Sequence, residues 1–269
     1  MVISQSAFLD LSKIVYEYSG NHFEENKKYF FEKQVFSRMK EIGVNTAQEY
    51  LSLLIKNPKG EELKKFVEEL TTNETYFFRE KKQLDCFVQE ILHTIKELKS
   101  PTVPINIWSA ASSSGEEPYS LAILINEKFP NLNYKILGTD INRRVLSMGE
   151  KGVYSKRSLK DVPEHIISKY FENKNNEFFL KESIKRHVKF QQLNLIDNFA
   201  MSSIKYHDVI FCRNVLIYFD EKHRKKIIES FYRSLNKGGY LFLGHSESLG
   251  RDLQNFKLLN QRNNITYQK

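Results

Sequence analysis

"WSAASSSGEEPYS", Trp108–Ser120, decides the fold. A short apolar run, Ile105–Trp108, leads into it, and a patch of small residues then gives way to two glutamates and a proline. Small residues after a strand leave the backbone open to close approach by a ligand, as glycines do in dinucleotide fingerprints. Pro118 suits the first turn of a helix, where its missing N–H is no loss. The start of that helix offers free N–H groups and a partial positive charge, which favour a carboxylate. The stretch therefore reads as the first strand–turn–helix of a parallel sheet, and in such sheets ligands bind outside the carboxyl ends of the strands. An ordinary turn tolerates the same residues, so a second signal is needed.

That signal is Asp140 in "LGTDIN", at the end of the next strand candidate, Tyr134–Ile141. An acid there is positioned to accept hydrogen bonds from ribose hydroxyls, and it also suits the N-cap of the following helix. The turn has neither GxGxxG nor a Walker lysine. A nucleoside-containing cofactor is indicated, without a standard dinucleotide or triphosphate loop.

Outward from these two strands, "VKFQQLNL" (Val188–Leu195), "DVIFCRN" (Asp208–Asn214) and "GGYLFLGHS" (Gly238–Ser246) continue the series. Helical stretches separate most of them: Ser120–Phe129, Arg143–Lys151 and Lys222–Leu235. Alternation of this kind predicts right-handed βαβ units and a sheet covered on both faces. "FKLLN" and "ITYQK" predict a closing hairpin at the C-terminal end. Between Lys156 and Lys189 the alternation breaks. A helix-like "VPEHIISKYF" and a hairpin turning at Asn175–Asn176 predict a small β insertion.

Residues 1–70 show no strand-like run. Phe31, Val35, Met39 and Ile42 recur at helical spacing, with Lys33, Ser37 and Lys40 on the opposite face. Thr46 and Glu49 form a capping-box pattern, and "NPKG" breaks the helix that follows. A small helical bundle is predicted.

Hydrophobic residues make up 41% of the 269, enough for a sizeable core, and no run of about 18 apolar residues indicates a membrane span. The first residues show no basic start leading into an apolar run, so no signal peptide is expected. Cys86 and Cys212 stand apart from any CxxC pair, which predicts reduced, buried thiols of a cytoplasmic protein and no metal site. The charge is uneven. Residues 1–70 carry 10 Lys and Arg against 11 Asp and Glu, while the other 199 residues carry 31 against 22. A basic body suits an acidic partner, or is simply a solvated lysine-rich surface.

Six motifs, in order, resemble the bacterial chemotaxis methyltransferases of the CheR type. They are "TTNETYFFRE" (Thr71–Glu80), "IWSAASSSGEEPYSLAI" (Ile107–Ile123), "LGTDIN" (Leu137–Asn142), "QLNLID" (Gln192–Asp197), "DVIFCRNVLIYFD" (Asp208–Asp220) and "LNKGGYLFLGHSES" (Leu235–Ser248). The family methylates glutamates on chemoreceptors with S-adenosylmethionine, leaving S-adenosylhomocysteine. The resemblance implies an all-α N-terminal domain with a linker over 1–75. It implies a Rossmann-like methyltransferase domain over 76–269, with the inserted antiparallel β-subdomain at about 156–189. It implies cofactor contacts at Asn73, Thr75, Arg79, Glu116, Asp140, Asn194, Leu195, Arg213 and Asn214. It implies a catalytic role for Tyr218, near the transferred methyl, and for Arg79.

Single positions have plainer readings too: Asn73 suits a helix cap, Arg79 a surface charge, Asn194 and Asn214 strand-end turns, and Tyr218 a core position. His245 is not required by the chemistry and reads as structural or substrate-shaping. Lys33 and Lys40 are expected to dock the receptor's acidic helices. The expected partner is the cytoplasmic helical region of a methyl-accepting receptor, met by a monomer that neither enters the membrane nor binds nucleic acid. The short Asn–Asn turn predicts methylation independent of a receptor's C-terminal tail. DNA amino-methyltransferases usually carry an Asn/Asp-Pro-Pro-aromatic signature, absent from "CRNVLIYFD". Two alternatives are a cofactor-binding signalling module without turnover, and a methyltransferase for another acidic target.

Overall fold

A computed structural model describes residues 3–250 and 255–269. Among the described residues the larger of two units has ten strands: β1 (Ile105–Ala110), β2 (Tyr134–Asp140), β3 (Val153–Ser155), β4 (Phe171–Lys174), β5 (Glu177–Leu180), β6 (Val188–Gln192), β7 (His207–Cys212), β8 (Leu235–Leu243), β9 (Lys257–Gln261) and β10 (Asn264–Gln268). Seven form one sheet in the order β6-β2-β1-β7-β8-β10-β9. β6, β2, β1, β7 and β8 run parallel, and the β9–β10 hairpin closes the edge antiparallel. Every residue of β7 is buried, as expected of a central strand covered on both faces. The strand order reverses between β1 and β7, so the crevice for a ligand opens beyond their carboxyl ends. Trp108 of β1 is fully buried, with its indole N–H donating to Thr139 Oγ1 at 2.9 Å.

The insertion is a three-stranded antiparallel sheet, β3-β5-β4. Asn175 and Asn176 have φ of 54° and 65°, the pair of left-handed residues that a tight two-residue hairpin turn requires. Its third strand, β3, lies upstream of the expected start at 156. Three residues are too few for a period-2 signal, and the strand follows directly on Gly152, whose φ of 66° ends the helix Arg143–Lys151. A helical stretch from Lys81 to Leu98, with a π-turn at Phe87–Ile91, was not among the expected elements. Cys86 and Cys212 are free and buried.

The second unit comprises Met1–Thr72 and Ile217–Arg224. Its helices are Gln5–Ser19, Lys28–Ile42, Ala47–Lys56 and Glu61–Leu70. The Thr46–Glu49 capping box is present, and Gly20 and Gly43 end helices with φ of 76° and 73°. Phe8, Phe31, Tyr50 and Phe66 form an edge-on aromatic core. Ile217–Arg224 joins this unit through a bridge between Asn21 and Phe219 and a hydrogen bond from His22 N to Tyr218 O at 3.3 Å. The Tyr16 hydroxyl donates to Asp220. Among the described residues no helix is long and apolar enough to cross a membrane.

Candidate functional site

The turn after β1 is tightly wound. Ala111 and Ser113 have φ of 60° and 49°, and Gly115, at 92°, precedes the helix Glu116–Lys128. A Cβ on Gly115 would lie 2.8 Å from the Phe190 ring and 3.2 Å from the Tyr154 hydroxyl, so both the backbone angle and the space demand glycine. Ser112 N donates to Thr139 O at 2.8 Å, which ties this turn to the end of β2.

Asp140 completes that tie. One carboxylate oxygen accepts Ser113 N at 2.9 Å and the other accepts Asn142 N at 2.9 Å. The cap of the next helix is Asn142, whose side chain accepts from Arg144 N and Val145 N. Leu193 N donates to Asp140 O at 2.9 Å, bringing the Asn194–Leu195 turn alongside.

The carboxylate pair has two destinations, because consecutive helical residues point about 100° apart. Glu116, 3% exposed, accepts from Ser114 Oγ at 2.7 Å and Ser158 Oγ at 3.2 Å. Burial pushes its carboxyl above the usual range, and these hydroxyls only partly oppose the shift. It forms no ion pair among the described residues. It lines a cavity of about 460 Å³ together with Asn73, Thr75, Tyr154 and Ser158. Glu117 instead accepts from Ser109 Oγ at 2.6 Å and lies 3.3 Å from Arg213 Nε.

Arg213, with its side chain 2% exposed, donates through Nη2 to Arg79 O at 2.7 Å. Asn214 Nδ2 donates to Glu80 Oε1 at 3.3 Å. Arg79 donates to Glu74 O at 3.0 Å, and Phe78 and Glu80 have φ of 61° and 54°. The linker is therefore held in a strained turn against the end of β7.

Three of the expected site residues, Asn73, Thr75 and Glu116, share the cavity. Asp140 is tied through its carbonyl to Leu193, which precedes Asn194 and Leu195, while Arg79, Arg213 and Asn214 cluster at the β7 end. Tyr218, Lys33 and Lys40 belong to the helical unit. There Lys27 Nζ lies 5.7 Å from the Tyr218 ring centre, and Lys33 and Lys40 are exposed. Tyr154, Ser158 and Glu247 escaped the sequence reading. The first two come from and beside the three-stranded sheet, and nothing in their local pattern marks them.

The arrangement fits S-adenosylmethionine. A buried carboxylate with no ion-pair partner among the described residues suits the cofactor's ammonium group, and Asp140 stands at the end of β2, where an acid meets a ribose in nucleoside-binding sheets. Ser112 Oγ and Arg213 Nη1, at the ends of adjacent strands, are buried without hydrogen-bond partners among the described residues.

Two family models match the chain: the all-alpha domain of CheR methyltransferases over residues 6–71, and their SAM binding domain over 73–265. The chain is similar to "Chemotaxis protein methyltransferase 2" of Vibrio cholerae serotype O1. That identity is 38% over 273 residues, covering 100% of this chain and 94% of the relative. It is also similar to "Chemotaxis protein methyltransferase" of Borreliella burgdorferi, 38% identical over 254 residues, covering 92% and 89%.

Proposed function

This chain belongs to the CheR methyltransferase family, and we propose that it transfers a methyl group from S-adenosylmethionine to glutamate side chains of chemoreceptors in the cytoplasm, forming methyl esters. The observation that carries the reading is Glu116. It is a buried carboxylate, hydrogen-bonded to serine hydroxyls, on the wall of a cavity lined by the turn after β1, the linker and the small β-sheet. The relatives' names support the receptor as substrate, and the basic body suits acidic receptor helices.

When bound, S-adenosylmethionine supplies an activated methyl on a sulfonium. Glu116 and the linker residues Asn73 and Thr75 would hold its amino-acid end, and Asp140 would accept from its ribose hydroxyls. Asn194, Leu195 and Asn214 would flank its nucleoside, while Arg213 holds the linker that carries Arg79. Arg79 steers the acceptor carboxylate, and the family motif around Tyr218 supports a catalytic role for its ring in the transfer. That carboxylate has a reference pKa of about 4.3 and is ionised at pH 7, so no residue needs to act as a base. The chain's task is alignment and exclusion of water, and alignment is worth ~7–11 kcal/mol in well-oriented small-molecule reactions.

The test incubates the protein with methyl-labelled S-adenosylmethionine and receptor cytoplasmic fragments, with and without their C-terminal tails. Mild alkali should release the label as methanol, and the tight Asn175–Asn176 turn predicts equal rates for both fragments. Alkali-stable label would overturn the ester. A rate lost with the tail and restored on re-attachment would overturn tail independence. A second check is Asp140→Ala. Losing hydrogen bonds to ribose should cost about 1–3 kcal/mol in calorimetric affinity for both S-adenosylmethionine and S-adenosylhomocysteine. Unchanged affinity would remove Asp140 from the site.

A further inference from the structure

The loop after β7 is held by a residue that neither the strand pattern nor the cofactor motifs singled out. The Glu247 carboxylate accepts four backbone N–H groups. Oε1 takes Val215 N at 2.9 Å and Leu216 N at 2.7 Å. Oε2 takes Asn214 N at 2.8 Å and Gly244 N at 2.8 Å. Both oxygens thus use two acceptor directions, with no lysine or arginine ion-paired to the group among the described residues. Convergent backbone amides are an anion site, and here a side chain of the same chain fills it.

The space around the carboxylate is built for it. A Cβ on Gly244 would sit 2.6 Å from Glu247 Oε2 and 2.9 Å from both nitrogens of Asn214, so only glycine admits the carboxylate here. Asn214 itself is left-handed, with φ of 58°. The same loop reaches the linker on its other side, through Asn214 Nδ2 to Glu80 and Arg213 Nη2 to Arg79 O.

We propose that Glu247 is a positioning residue for the methyl transfer. Its carboxylate fixes the 214–216 backbone, and so sets Asn214 and, through Arg213, the linker bearing Arg79. The proposal rests on the reading of this pocket as the S-adenosylmethionine site.

The experiment compares the full-length wild type with Glu247→Gln, Gly244→Ala and the exposed control Ser246→Ala. Glutamine keeps the shape but turns one acceptor into a donor facing two N–H groups. Gly244→Ala keeps the charge and displaces the carboxylate. Both variants should raise the Kd for S-adenosylhomocysteine at least tenfold, raise KM for S-adenosylmethionine and lower kcat. Without any ligand, both should speed amide exchange at residues 214–216 at least tenfold, while Ser246→Ala matches wild type throughout. A variant that lowers Tm yet keeps wild-type Kd and KM in its folded fraction would reduce Glu247 to a structural residue and overturn the proposal. Unchanged exchange at 214–216 would overturn it equally. Failure of the wild type to bind S-adenosylhomocysteine would instead sink the cofactor reading, while the ligand-free exchange still decides what Glu247 holds.

Discussion

Glu116→Gln is expected to weaken binding of S-adenosylhomocysteine about a hundredfold or more. Breaking a buried, hydrogen-bonded charge pair costs about 3–5 kcal/mol, and each ~1.4 kcal/mol is a factor of ten. In the ligand-free protein burial favours the protonated carboxyl of Glu116. A bound ammonium favours the ionised form. Ligand uptake therefore expels a proton wherever the pH lies below the raised pKa. Affinity should climb as pH rises toward that pKa and level off above it. Glutamine cannot titrate, so the variant should lose this climb as well as the affinity. Calorimetry across pH 5–8 reads both. Wild-type affinity with the wild-type slope in Glu116→Gln would mean that the ammonium is held elsewhere.

Arg38→Ala is expected to destabilise the helical unit by about 3–5 kcal/mol. The Arg38 side chain is 3% exposed, with Nε and Nη2 on Glu62 at 2.9 and 2.6 Å and Nη1 on Glu41 and Glu69 at 2.5 and 3.2 Å. The same Glu62 also accepts from the buried Tyr50 hydroxyl at 2.9 Å. Alanine leaves these carboxylates facing one another without their cation. A denaturant midpoint within experimental error of wild type would show that water and local repacking replace the arginine.

The double charge reversal of Lys33 and Lys40, on the same helix, should behave differently. Both are exposed, so stability should change by less than about 0.5 kcal/mol per site. If they dock the receptor, the methylation rate and its salt dependence should both fall. An unchanged rate and salt dependence would make that face solvated surface only.

The two arms of that comparison also mark how far residues 1–70 can be read from sequence. Periodicity separates Phe31, Val35 and Met39 from Lys33 and Lys40, and the structure keeps that division. It does not reveal that Arg38 is buried. Its three carboxylate partners lie on its own helix and on Glu61–Leu70, and only packing makes one charged site of them. The same holds for the pair Glu116 and Glu117. Their adjacency to a small-residue turn is visible in the string of letters. Which one lines the cavity and which one meets Arg213 depends on the rotation of a helix packed against a sheet.

Local rules sufficed for the parallel strands, the capping box at Thr46, the Asn–Asn hairpin and the order of the six motifs. In each case the determining interaction spans a few residues, or repeats with a period that a sequence displays. Beyond them lay features such as the strand Val153–Ser155, the grouping of Ile217–Arg224 with the helical unit, and the Glu247 carboxylate bound to amides about thirty residues earlier in the chain. Each depends on backbone groups distant in sequence. Backbone N–H and C=O groups are the same in nearly every residue, so their pairing leaves no trace in residue type until folding brings them together.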